Sequence, residues 1–188
     1  LGVATGSEGL LGVITEVTVR TLQKPETARA LILGFPPNKS AGDCAAAIIG
    51  AGTIPGGMEM MDKPAIHATE DFVHAGYPLD VQALLIVELD GPEVEVDHLI
   101  ERVDAIARQA GATHLSVSRS EEERQAFWSG RKNAFPAVGR LSPDYLCMDG
   151  TIPRRKLADV LQRIEELSQQ YGLRVANVFH AGTATCIR

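Results

Sequence analysis

Apolar and polar positions change period repeatedly along this chain. From Ala28 onward, short apolar runs alternate with stretches whose apolar residues recur every three or four positions; the first pattern suits strands and the second helices. Strands are predicted at Ala30–Phe35, Met58–Asp62, Gln82–Asp90, Thr113–Ser118, Tyr145–Thr151 and Arg174–Phe179. Helices are predicted at Lys39–Gly52, Ala65–His74, Val94–Ala110, Ser120 to about Phe135, and Pro153–Tyr171. Ser120 with Glu123 three positions on is a capping-box pattern, and Gly172 closes the last helix. Upstream, Val13–Leu22 is rich in β-branched residues and nearly alternates, which predicts one more strand. Gln23-Lys24-Pro25-Glu26 then breaks the pattern, so residues 1–25 and 26–182 are assigned to different domains.

Alternating elements admit a parallel doubly wound sheet. No Gly-rich phosphate loop follows a strand after Ala28, however, and the strands mix polar with apolar positions. That pattern predicts an α+β fold, a mainly antiparallel sheet with helices on one face and solvent on the other. A ferredoxin-like unit, single or doubled, is the expected topology.

Hydrophobic residues make up 45% of the chain and charged residues 22%, enough apolar material for a core and too much for disorder. The net charge of −6 argues against a nucleic-acid partner. The one basic cluster, Arg154-Arg155-Lys156, sits where a helix is expected to start and reads as a solvated first turn. No apolar run is long enough to span a bilayer, so any peripheral membrane association is expected only through partners. Cys44, Cys147 and Cys186 are widely spaced and odd in number, which points to free thiols and a cytoplasmic location.

Candidate chemistry begins in Gly6-Ser7-Glu8-Gly9-Leu10-Leu11-Gly12, followed by Val13-Ile14-Thr15-Glu16. Taken alone, its glycines fit either a tight turn or a backbone cradle for phosphate oxygens. The stretch resembles the G-S-E-G-T-L-G-I-(V/I)-T-E signature that closes the FAD-binding domain of the vanillyl-alcohol-oxidase superfamily, with Leu10 where Thr is usual. Further segments resemble the flavin subunits of glycolate oxidase: Pro55–Asp62, Glu70–Pro78, Glu88–Gly91, Phe127–Arg140, Pro143–Tyr145, Met148–Arg154 and Asn177–Gly182. The resemblance implies FAD as cofactor, with Gly6, Ser7, Glu8, Gly9, Gly12, Val13 and Ile14 lining it. It also implies that residues 26–182 are an incomplete FAD-linked oxidase substrate domain.

Oxidising a 2-hydroxy acid needs a carboxylate clamp, a base and a hydride acceptor. The resemblance makes Arg131, in a W-x-x-R pattern with Trp128, the clamp. The plainer reading is a surface arginine paired with Glu121 or Glu122. His180 in Phe-His-Ala-Gly matches the first His of H-x-G-D-G-N-x-H, which implies a partial site for a divalent metal; the second His is absent. His67, His74, His98 and His114 match no ligand spacing, and Met58, Met60 and Met61 read as core. Trp128 reads equally as pocket wall or packing. No Gly-Glu-His-Gly stretch occurs, so the family's catalytic base is not among these residues.

Both ends read as cuts, and Thr183–Arg188 departs from the family's Asp-Gly-Asn-Leu-His-Pro. In a GC-rich coding chosen for Gly-Asp-Gly-Asn-Leu-His-Pro, GGC GAC GGC AAC CTG CAT CCG, deleting the first G of the Asp codon leaves GGC ACG GCA ACC TGC ATC CG. That reads Gly-Thr-Ala-Thr-Cys-Ile and then Arg, as observed, so residues 183–188 are expected to be an aberrant, frameshifted tail. The expected function is that of a flavin-dependent 2-hydroxy-acid oxidoreductase fragment, oxidising glycolate to glyoxylate or D-lactate to pyruvate. Its expected partners are the small substrate and other glycolate oxidase subunits that carry the electrons away. The alternative is a non-catalytic ferredoxin-like binding or assembly module. Sequencing the source DNA across the codons for Gly182 to Arg188 checks the frameshift; a coding with no such deletion overturns it.

Overall fold

The structure, a computed structural model, describes residues 2–21, 23–153, 156–182 and 185–187. Its strands are β1 (Thr27–Phe35), β2 (Gly57–Asp62), β3 (Ala83–Gly91), β4 (His114–Val117), β5 (Asp149–Thr151), β6 (Val178–His180) and β7 (Thr185–Ile187). Its helices are α1 (Asn38–Gly50), α2 (Lys63–Val73), α3 (Glu93–Gln109), α4 (Glu121–Lys132), α5 (Ala134–Val138) and α6 (Leu157–Tyr171). The strands form a single sheet in the order β4-β1-β3-β2-β6-β7-β5, and the pairings are antiparallel.

The first four strands reproduce the ferredoxin-like order, with α1 and α3 as the crossovers and α2 inserted between β2 and β3. The unit is not doubled: α6 packs beside α1, and β6, β7 and β5 extend the same sheet. The antiparallel α+β expectation therefore holds.

Among the described residues, the expected solvated face is absent from β1, β2 and β3. Leu31, Leu33, Phe35, Met58, Met60, Leu85, Val87 and Leu89 point to a core with residues of α1, α3 and α6. On the opposite face Ala30, Ile32, Met61, Leu84 and Ile86 pack with Ala65 and Ile66 of α2, Phe127 of α4 and Ala134. The run Ala30–Phe35 is buried throughout because both faces are covered, so its apolar residues show no alternation.

Element boundaries moved where local chemistry overrode the period. Val13–Thr21 forms no strand; Val13, Val17 and Val19 are exposed and pair with no neighbouring strand among the described residues, and Leu22 lies outside them. The fourth helix stops at Lys132 instead of running to Phe135, because Pro136 has no N–H for the Lys132 carbonyl and crowds it. Tyr145–Met148 and Arg174–Asn177 likewise lie outside strands, leaving the short β5 and β6. The last helix begins at Leu157; Arg154 and Arg155 lie outside the described residues, as do Thr183, Ala184 and Arg188 of the expected aberrant tail.

Two local devices hold the site's framework. Asp62 ends β2 and caps α2, its Oδ1 accepting from Ala65 N at 3.2 Å, with Pro64 in the first turn. Its Oδ2 accepts from Asn177 N at 2.9 Å and Asn177 Nδ2 at 2.7 Å, tying β2 to the approach of β6. Tyr77, buried against α4, donates its hydroxyl hydrogen to Phe127 O and accepts from Arg131 N at 3.1 Å. Burial pushes the Tyr77 hydroxyl up, so it stays protonated and able to donate. A Cβ at Gly130 would overlap the Tyr77 ring and hydroxyl, so the helix can approach Tyr77 only with glycine there.

Gly130→Ala should cost about 3 kcal/mol of stability, seen as a lowered urea midpoint, since the overlap is with a fixed ring. Burial raises the Asp62 carboxyl to about 7 against the pull of the Asn177 and Ala65 hydrogen bonds. The folded chain therefore holds this proton more tightly than the unfolded chain. Its contribution to stability grows as pH falls through 7 and levels off near the ordinary 3.8. Unfolding at pH 8 and pH 6 should differ by on the order of 1 kcal/mol in favour of pH 6 from this group. Asp62→Asn should remove that slope.

Candidate active site

Strand parity gathers charge on the α2/α4/α5 face of the sheet. Met58 and Met60 face the α1/α3/α6 core while Met61 faces away from it, which turns Glu59 to the Met61 side. By the same rule Leu84 and Ile86 carry Glu88 to that face, and Val178 carries His180 there. The register sets Gly57 opposite Glu88, and Glu59 opposite both Ile86 and His180. Two carboxylates and an imidazole thus share the sheet surface next to an apolar core, where unpaired charge is costly.

Helix α4 supplies the partners. Ser120 Oγ caps it, accepting from Glu123 N at 3.2 Å; Glu123 Oε2 accepts from Arg119 N at 2.6 Å, one residue before the reciprocal bond of a capping box. Arg124, Trp128 and Arg131 follow at i, i+4 and i+7, a single stripe of the helix. Arg124 Nη1 and Trp128 Nε1 both donate to Glu88 Oε2 at 2.5 Å. Arg124 also binds Glu121, and that hydrogen bond holds the exposed Glu121 carboxyl down at about 2. The Trp128 ring lies against Gly57, where a Cβ would sit 3.0 Å from it.

Arg131 Nε donates to Glu59 Oε2 at 3.0 Å. His180 Nδ1 meets the other oxygen, Glu59 Oε1, at 2.6 Å. The side chains of Arg131 and Glu59 are 15% and 13% exposed, so water screens the pair weakly, while His180 at 40% reaches the surface. Arg131 and His180 therefore converge on one carboxylate, although 49 positions separate them (180 − 131). The surface pairing of Arg131 with Glu121 or Glu122 is not formed; Arg124 occupies Glu121 instead.

Glu59, Glu88 and Arg124 escaped the sequence reading. A signal was present, because a carboxylate in the middle of the buried strand Gly-Met-Glu-Met-Met-Asp, away from its capping end, calls for a cation. Trp128 packs against the α2/α4 core and donates its indole N–H to Glu88.

The Gly-rich segment is a string of turns with positive φ at Gly6 (77°), Glu8 (50°), Gly9 (82°) and Gly12 (147°). Gly6, Ser7, Glu8, Gly9, Gly12, Val13 and Ile14 share one concave surface with Ala4, Thr5 and Val17. At Gly6, Gly9 and Gly12 nothing lies within 4 Å of where a Cβ would be, so the space beside these glycines is open. Among the described residues no three His, Cys, Asp or Glu side chains are grouped to hold a metal. Cys44 is buried, with its thiol pushed up to about 12 by burial, and Cys147 is free and exposed. Among the described residues no helix is long and apolar enough to cross a membrane.

The fold as a whole is found in solved structures, for example alkyldihydroxyacetonephosphate synthase, with a TM-score of 0.67 and 17% identity over 99% of this chain and 40% of that one. Residues 24–187 match the FAD linked oxidases, C-terminal domain, and the chain belongs to that family. It is 60% identical over 182 residues to glycolate oxidase subunit GlcD of Escherichia coli, covering 97% of this chain and 36% of that protein. It is 29% identical over 187 residues to the mitochondrial cytochrome-type D-lactate dehydrogenase of Arabidopsis thaliana, covering 97% and 33%. The chain thus spans about a third of the length of these relatives.

Trp128 is the sole tryptophan, so its emission reports on the Glu88 contact. Glu88→Ala should shift that emission to the red and cost about 1–2 kcal/mol, because Arg124 and Trp128 both lose their partly buried acceptor while Arg124 keeps Glu121.

Proposed function

We propose that this chain forms the substrate side of a flavin-dependent 2-hydroxy-acid oxidoreductase that takes glycolate, with D-lactate as the second substrate. Family membership and the similarity to a glycolate oxidase subunit support the reaction class. The observation that carries the reading is the state of Arg131. Its guanidinium is anchored through Nε, and among the described residues neither Nη makes a hydrogen bond.

Arg131 acts as the clamp. The two Nη groups bind the substrate carboxylate side by side, which fixes the orientation of C2 as well as supplying charge. The anchored guanidinium needs little reorganisation to do so. Trp128, fixed by Glu88 and by Gly57, forms a flat wall on the same helix stripe that limits water near the clamp. His180 offers a hydrogen-bonding ring beside it and one ligand of a metal site that these residues do not complete. Gly6, Ser7, Glu8, Gly9, Gly12, Val13 and Ile14 line the cofactor's phosphates, within residues 1–25 as the C-terminal end of an FAD-binding domain. FAD, when bound, supplies the hydride acceptor. Partner subunits then receive the electrons, a reading supported by the word subunit in the name of the Escherichia coli relative.

Calorimetric titration of the chain with glycolate and D-lactate tests the clamp. Arg131→Ala should abolish the signal and Arg131→Lys should weaken it roughly tenfold or more, since an ammonium cannot reproduce the fork. Binding that ignores both substitutions would overturn the assignment.

A further inference from the structure

Glu59 is used twice, once by each oxygen. Oε2 accepts from Arg131 Nε at 3.0 Å and Oε1 meets His180 Nδ1 at 2.6 Å. The carboxylate stands on β2 between buried Met58 and Met60, opposite His180 across the β2–β6 pairing, so its own position is set by the sheet. Asp62, on the same strand and bound to Asn177, holds that pairing in register. We infer that Glu59 is a positioning residue that sets the orientation of Arg131 and the tautomer of His180. This rests on the reading of Arg131 as the clamp.

Each half follows from donor and acceptor chemistry. A carboxylate only accepts, so the His180 nitrogen facing it must carry the hydrogen. The neutral ring is then the Nδ1–H tautomer, with its lone pair on Nε2, the atom farther from Glu59. On Arg131, Glu59 takes the single Nε–H and leaves the Nη1/Nη2 edge, the one that matches a second carboxylate in parallel. Glu59 is therefore not a stand-in that substrate must displace. It steers both groups while the incoming carboxylate binds elsewhere on the same guanidinium.

The isosteric variant E59Q separates this role from mere packing. An amide has one accepting oxygen and one donating nitrogen. Arg131 Nε can only donate, so the amide oxygen must turn to it, which points the amide N–H at His180 Nδ1. That ring nitrogen must then accept, and the neutral ring must switch to the Nε2–H tautomer. The Arg131 bond survives while the histidine inverts, a pattern that loss of packing does not produce.

The test is nitrogen-15 NMR on the purified chain, above the histidine titration, with His180 assigned by the loss of its signals in His180→Gln. Wild type should show His180 as Nδ1–H and a slowly exchanging Arg131 Nε–H. E59Q should keep the slow Arg131 Nε–H and show His180 as Nε2–H. E59A should lose the Arg131 protection as well. Saturating glycolate should move the Arg131 Nη signals while Nε–H stays protected. A wild-type His180 in the Nε2–H form, an E59Q ring unchanged from wild type, or glycolate that strips protection from Arg131 Nε–H would each overturn the inference. The wild-type spectrum decides the tautomer even if a variant fails to fold. Glycolate that moves no signal at all defeats the clamp reading instead, and the tautomer pattern still stands or falls by itself.

Discussion

Two partly buried carboxylates on one sheet face, Glu59 and Glu88, dictate how the rest of the structure is arranged around them. Neither is tolerable beside that core without cations and hydrogen-bond donors. Helix α4 meets both demands with one stripe: Arg124 and Trp128 on Glu88, Arg131 on Glu59. The helix is thereby held in rotation about its axis by charge. It is held along its axis by Tyr77, whose hydroxyl binds Phe127 O and Arg131 N and which demands glycine at 130. Placement of Arg131 is a consequence of these contacts, not of local helix propensity.

Sheet strands were legible where residue type and length agreed. β1, β2, β3 and β4 lie within a few residues of their predicted spans because their β-branched and aliphatic runs are bounded by turn residues. The covered second face was not legible, since polar residues in β2 and β3 read as solvent-facing when they are in fact charge-paired beneath α4. Val13–Leu22 shows the opposite error. Its pattern is that of a strand, but a strand is a property of two partners, and none lies beside Val13–Thr21 among the described residues.

The candidate site was legible in its ends and not in its middle. Arg131 and His180 stood out through resemblance to a family, and geometry then brought them onto one carboxylate. Glu59 was hidden among methionines that read as core. Parity along the strand, with Met58 and Met60 turned to one face, would have pointed its side chain away from them. Long-range pairing across 121 positions between Glu59 and His180 has no local signal at all.

One exposed feature has a practical side. Along residues 3–19, Val3, Leu10, Leu11, Val13, Ile14, Val17 and Val19 all stand in water, first in turns and then in a stretch with no strand partner among the described residues. An unpaired, β-prone, oily ribbon of this kind is adhesive. Preparations of this chain are therefore expected to self-associate through their leading segment while the sheet domain behind it, wrapped on both faces, stays well behaved. Trimming back to the first strand is the natural remedy where aggregation obscures spectroscopy.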